Sequence, residues 1–326
     1  MIIKQVRGGR AAVVFAAAVL VLTACGGQQA GPATTGEGGG GGGGASGQVR
    51  IDGSSTVAPL TSAAAELFRS QNPNVNVTVA TSGTGGGFEQ FCSGNTDISN
   101  ASRPIGDDEI AACQAAGIQY VELQVANDAL TVVVNPQNTW ATCLTVEQLK
   151  TMWGPEARDQ IRTWNQVDPS FPAEPLALFG PGTDSGTFDY FTDAINGEEG
   201  ASRTDYSASE DDNVLVQGVE GATGASSYFG YTYFEENASR LKAVQVNGGQ
   251  GCVAPSPETV QDGTYTPLAR PLFIYVNREA YARPEVKEFV DFYAGQDAEI
   301  AKAAQFVALN EEQSAALKSA VQGLTG

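Results

Sequence analysis

Histidine is absent from this 326-residue chain. That removes histidine metal ligands and the imidazole base of Ser-His and Cys-His catalytic arrangements. There is no C-x-x-C pair and no G-x-x-x-x-G-K-[ST] stretch, so thiolate–zinc centres and a nucleotide P-loop have no support. No metal site and no cofactor is expected. Basic residues are scarce: 18 Lys and Arg face 37 Asp and Glu. A body so acidic repels nucleic acid and anionic lipid at long range. A small anion is not excluded, because a binding site is built from local dipoles and hydrogen bonds.

The chain does hold a clear leader. Lys4, Arg7 and Arg10 make a basic start, "AAVVFAAAVLVL" is too short to span a bilayer as a mature helix, and "LTAC" ends the run at Cys25. This is the layout of a secretory signal over residues 1–24. The tetrad resembles a bacterial lipobox, which implies that Cys25 is lipidated, becomes the mature N-terminus and anchors the protein to the extracytoplasmic face of the cell membrane. From Cys25 to residue 47 the composition is that of a flexible tether, "GGQQAGPATTGEGGGGGGGASG". About 22 such residues span roughly 25 Å end to end. Losing the three leader cations leaves 15 basic residues against 37 acidic ones, a net charge near −22.

Residues 48–326 alternate strand-like and helix-like segments, the pattern of an α/β fold. "VAPLTSAAAELFRSQNP" places Leu60, Ala64 and Phe68 on one helical face before Pro73. "ALTVVVNPQ" and "RPLFIYVN" read as buried strands, "LKAVQV" as one further strand, and "PEVKEFVDFYA" and "NEEQSAALKSAVQGL" as amphipathic helices. Cys92, Cys113, Cys143 and Cys252 form an even set in an exported chain, so two disulfides are expected, and spacing alone leaves three connectivities open.

Three strand-to-helix junctions share one composition: "DGSSTVAPL" (52–60), "TSGTGGGFEQ" (81–90) and "GTDSGTFDYF" (182–191). A fourth loop, "SNASRPIGDDEI" (99–110), adds an arginine. Helix N-termini carry orphan N–H donors and partial positive charge, glycine lets the backbone approach closely, and Ser or Thr adds a rotatable donor. Together such junctions enclose a tetrahedral oxyanion without a lysine cluster.

These residues carry a resemblance. Through "DGSSTVAPL", "SGTGGGF", "TDISNASRPI", "TDSGTFDYF" and "RPLFIYVN" the sequence is similar to the Pst-type periplasmic phosphate-binding lipoproteins of phosphate ABC importers. The resemblance implies a type II periplasmic-binding fold, α/β and two-lobed, with hinge strands and phosphate enclosed in the cleft. The contacts it implies are Ser55, Thr56 and Val57 in the first loop, Thr84 and Gly85 in the second, and Ser185, Gly186 and Thr187 in the third. Two departures stand out. Pro181 occupies a place where many members have arginine, and Ser102 one where many have aspartate. Arg103 is the expected replacement cation and Asp184 the expected replacement carboxylate.

By the same resemblance the chain crosses between lobes near 126–130 and 267–271. Lobe one then holds 48–127 and 268–326, and lobe two 128–267. Cys92–Cys113 and Cys143–Cys252 are the implied disulfides, because either alternative pairing would tie the lobes together. The implied partners are inorganic phosphate, the permease subunits of the importer and, through the lipid anchor, the membrane, with the protein a monomer. Sulfate, molybdate or tungstate is the nearest alternative ligand. A serine hydrolase centred on Ser185 lacks both a histidine and a surrounding S-x-x-K pattern.

Overall fold

The computed structural model describes residues 45–183, 185–209 and 211–324. The signal segment, Cys25, all but the last residues of the tether and Asp184 lie outside the described residues.

Strand β1 (Gly47–Gly53) leads into α1 (Ala58–Arg69), then β2 (Val75–Val79), α2 (Gly83–Cys92), β3 (Ile98–Ala101) and α3 (Asp107–Ala115). Helix α1 forms because Leu60, Ala64 and Phe68 recur on one face and are all buried, and because Pro59 sits in the first turn, where its missing N–H costs nothing. Strand β1 pairs in parallel with β2 on one side and β3 on the other. The loops after all three strands therefore open at the same edge, the carboxyl ends where α/β sheets bind ligands.

Strand β4 (Tyr120–Val134) follows, then β5 (Cys143–Thr145), α4 (Val146–Trp153), α5 (Trp164–Val167), β6 (Ala177–Gly180) and α6 (Gly186–Phe191). A π-helical turn, Thr192–Asn196, extends α6. Next come β7 (Ser207–Ala208), α7 (Asp212–Glu220), β8 (Ala225–Gly230), α8 (Tyr231–Glu236), β9 (Lys242–Ala243), β10 (Gln245–Asn247), β11 (Cys252–Val253) and α9 (Pro257–Gln261). The chain closes with β12 (Ala269–Asn277), α10 (Arg278–Tyr281), α11 (Pro284–Gly295), α12 (Asp297–Ala303) and α13 (Glu311–Gln322).

The main sheet runs β2-β1-β3-β12-β4-β8-β6-β7, with β9 also on β4. Strand β4 changes partner along its length. It pairs antiparallel with β12 as far as Ala129 opposite Ala269, and with β8 from Leu130 onward. Two large apolar clusters flank that exchange. One gathers Val49, Leu60, Phe68, Leu272, Phe289 and Leu317, the other Val132, Leu149, Trp153, Phe191, Tyr228 and Val246. The fold is thus α/β and two-lobed.

The expected single strand "LKAVQV" divides at Val244, because β9 answers β4 and β10 answers β5. One disulfide, Cys92–Cys113, joins α2 to α3, and another, Cys143–Cys252, joins β5 to β11. Among the described residues no helix is long and apolar enough to cross a membrane.

Candidate functional site

The loops after β1, β2 and β3 converge because glycine lets their backbones touch. Gly53 has φ +136°, and a Cβ there would lie 2.2 Å from the Asn100 carbonyl oxygen; one on Gly87 would lie 2.4 Å from Gly53 Cα. The Asp52 carboxylate braces two of the loops by accepting from Gly53 N (2.7 Å) and Ser82 N (3.0 Å). Ser54 N donates to Asn100 O at 2.9 Å, fastening the first loop to β3.

Where these loops meet α6 there is a cavity of about 420 Å³. Ser54, Ser55, Thr56, Gly83, Thr84, Gly85, Ser102 and Arg103 line it from the three loops, Asp189, Tyr190, Asp193 and Glu199 from α6 and the segment after it, and Arg270 reaches both sets. Thr84 and Ser102 share a hydroxyl–hydroxyl contact of 3.2 Å, and Ser102 N donates to Thr84 Oγ1 at 3.3 Å. The first-turn N–H groups of α2, on Gly83, Thr84 and Gly85, have no partner within the helix.

Arg270 is the cation at the centre. Its Nη2 donates to Thr56 Oγ1 (2.9 Å), its Nε to Asp128 Oδ2 (3.2 Å), and its guanidinium lies 3.5 Å above the centre of the Tyr190 ring. Arg270 and Asp128 are register partners on β12 and β4. Burial pushes the Asp128 carboxyl above its ordinary value, with Arg270 and the Ala129 amide opposing. Burial likewise raises Tyr190, whose hydroxyl donates to Pro267 O at 2.9 Å. Burial and nearby Glu199 push Asp189 up, and Arg270 pulls it down.

Of the residues expected from sequence, Ser55, Thr56, Thr84, Gly85, Ser102 and Arg103 stand together on the cavity wall. Val57 is fully buried, and its amide donates to Ser54 Oγ (3.4 Å) instead of facing the cavity. Ser185 caps α6, accepting from Thr187 N at 3.2 Å, which leaves its O–H proton able to donate. Gly186 abuts the first loop, since a Cβ there would sit 3.5 Å from Thr56 Oγ1. Thr187 lines an adjoining cavity with Asp128 and Tyr231. Asp184 lies outside the described residues.

Arg103, the expected replacement cation, lines the cavity but is also paired within its own segment. Its guanidinium forks onto Glu109 with two 2.8 Å contacts, and the same carboxylate accepts from Gly106 N at 2.7 Å. Burial raises the Glu109 carboxyl, but Arg103 and that amide outweigh it and leave it below its ordinary value. In this arrangement the Arg103 charge is shared with Glu109, whereas Arg270 reaches across to Thr56 and Tyr190. Sequence reading missed Arg270, Asp128, Tyr190 and Asp189. The available signal was a lone arginine opening the apolar strand "RPLFIYVN".

The comparisons agree with this geometry. The family model for the PBP superfamily domain matches residues 39–297. Protein SphX of Synechocystis sp. is 50% identical over 268 residues, 82% of this chain and 80% of its own. Phosphate-binding protein PstS of Staphylococcus saprophyticus is 38% identical over 282 residues, 86% of each chain. The crystal structure of a possible phosphate binding protein from Planctomyces limnophilus is 46% identical, superposes with a TM-score of 0.82, and covers 86% of this chain and all of that one. Parallel strands whose loops converge on one cleft, and relatives of this closeness along most of the length, make the chain a member of the PBP superfamily.

Proposed function

We propose that the protein captures inorganic phosphate in the cleft between its lobes and delivers it to the permease of an ABC importer. The observation that carries this is the convergence of three donor loops and Arg270 on one cavity. Hydroxyls, free amides and a fork-shaped cation are what a tetrahedral oxyanion needs. Relatives named for phosphate binding support the choice among such anions.

Lobe one comprises 48–127 and 268–326, and lobe two 128–267; the two apolar clusters support this division, with Leu268 and Val307 packing across it into the lobe-two cluster. Ser55, Thr56, Thr84, Gly85 and Ser102 donate from lobe one and Arg270 from the crossing strand. Ser185, Gly186 and Thr187 join from lobe two as the cleft closes, so the ligand favours the closed state. The protein works as a binding protein and not as an enzyme. It is held outside the cytoplasm by a lipid on Cys25 and acts as a monomer.

Calorimetric titration with phosphate, sulfate and molybdate tests the reading. Phosphate is expected to bind and the other two not. Thr84→Ala and Thr187→Ala are each expected to weaken phosphate about tenfold or more, the loss of one hydrogen bond to a charged group. Wild-type affinity in both variants would remove the cleft as the site.

A further inference from the structure

Arg270 is held along one edge and on one face. Along the edge, its Nη2 donates to Thr56 Oγ1 and its Nε to Asp128 Oδ2. On the face, the Tyr190 ring lies 3.5 Å away. The Nη1 group donates to no partner among the described residues, and the side chain lines the cavity. Edge contacts alone would let the planar group tilt about the line joining them. A flat surface against its face removes that freedom.

Tyr190 is itself fixed at both ends. Its backbone belongs to α6, about one turn beyond Ser185, Gly186 and Thr187, and its hydroxyl donates to Pro267 O at 2.9 Å. The side chain is buried among the second apolar cluster. An aromatic face attracts a cation without adding a formal negative charge. Asp128 already offsets Arg270 along its edge, and a second carboxylate under the guanidinium would cancel the charge that an anion needs.

Resting on the phosphate reading above, we propose that Tyr190 is a positioning residue, whose ring sets the plane of Arg270 so that the unpaired end of the fork meets the anion. The Pro267 carbonyl holds the ring in place through the hydroxyl. Because the ring is carried by α6, it also sets the spacing between that cation and the donors at the start of the same helix. A tyrosine that merely filled space in the apolar cluster would act in the same way whatever residue stood at position 270.

The test is calorimetric titration of the full chain in detergent with phosphate, with thermal unfolding of every variant recorded alongside. Tyr190→Leu removes the ring and is expected to weaken phosphate about tenfold. Tyr190→Phe keeps the ring and is expected to stay within about threefold of wild type. Arg270→Lys replaces the planar group by an ammonium, which has no plane to set. In that background Tyr190→Leu is expected to cost less than about threefold, the mark of two residues acting as one unit. If Tyr190→Leu does not fold, Tyr190→Met takes its place in both backgrounds. Wild-type affinity in the ring-less variant overturns the proposal. So does a tenfold loss in Tyr190→Phe, or the full loss repeated in the lysine background. A wild-type chain that fails to bind phosphate overturns the functional reading instead.

Discussion

Arg270 meets Thr56, Asp128 and Tyr190 with three different parts of one planar group. A lysine would keep the charge but lose the fork and the stacking on the ring. Arg270→Lys is therefore expected to weaken phosphate binding by about tenfold or more. Arg103→Lys is expected to change it by a small factor, because Glu109 already holds that charge. Titration of both variants with phosphate checks the contrast, and equal losses would return Arg103 to the ligand. The difference between the two arginines was not legible in the sequence. Arg103 stands in a loop of the right composition, whereas Arg270 reaches the site through pairing with a strand whose Asp128 lies 142 residues away. Local chemistry reveals hydroxyls, glycines and caps, but a long-range antiparallel register leaves no local trace.

At the level of elements, the site depends on how closely β1, α2 and β3 approach. Gly53 touches the backbone of Asn100 and faces Gly87, so it fixes the spacing of all three donor loops. Any side chain there meets both a left-handed φ and a backbone oxygen. Gly53→Ala is expected to destabilise the fold by about 2–4 kcal/mol and to weaken phosphate binding as well. Denaturant unfolding with parallel titration measures both; unchanged stability would mean that the loops are spaced by something else. These junctions were legible from sequence because each sets Gly, Ser and Thr between a strand-like run and a helical one. The third was legible only in part. Ser185 is as good an N-cap as it is a ligand donor, and in the structure it caps. The acidic face one turn further on, with Asp189 and Asp193, reads from sequence as an ordinary solvated helix surface.

At the scale of the whole molecule, the proposed lipid on Cys25 makes a claim about where the protein is found. Replacing Cys25 by Ser is expected to move most of the protein from the membrane fraction to the soluble fraction, with phosphate affinity unchanged. Fractionation checks this, and full membrane retention would count against the lipid anchor.

The partner exchange along β4 has a mechanical consequence. Arg270 and Asp128 face each other on the two strands that cross between the apolar clusters. In a rocking body, points near the axis travel least. On the proposed closure about these strands, the central cation and its counter-ion keep their spacing while the Thr84 loop swings through a larger arc. On that proposal an arriving anion finds its charge partner already set at the fulcrum and assembles the remaining contacts outward from it. Capture is then governed at the pivot, and release at the rim.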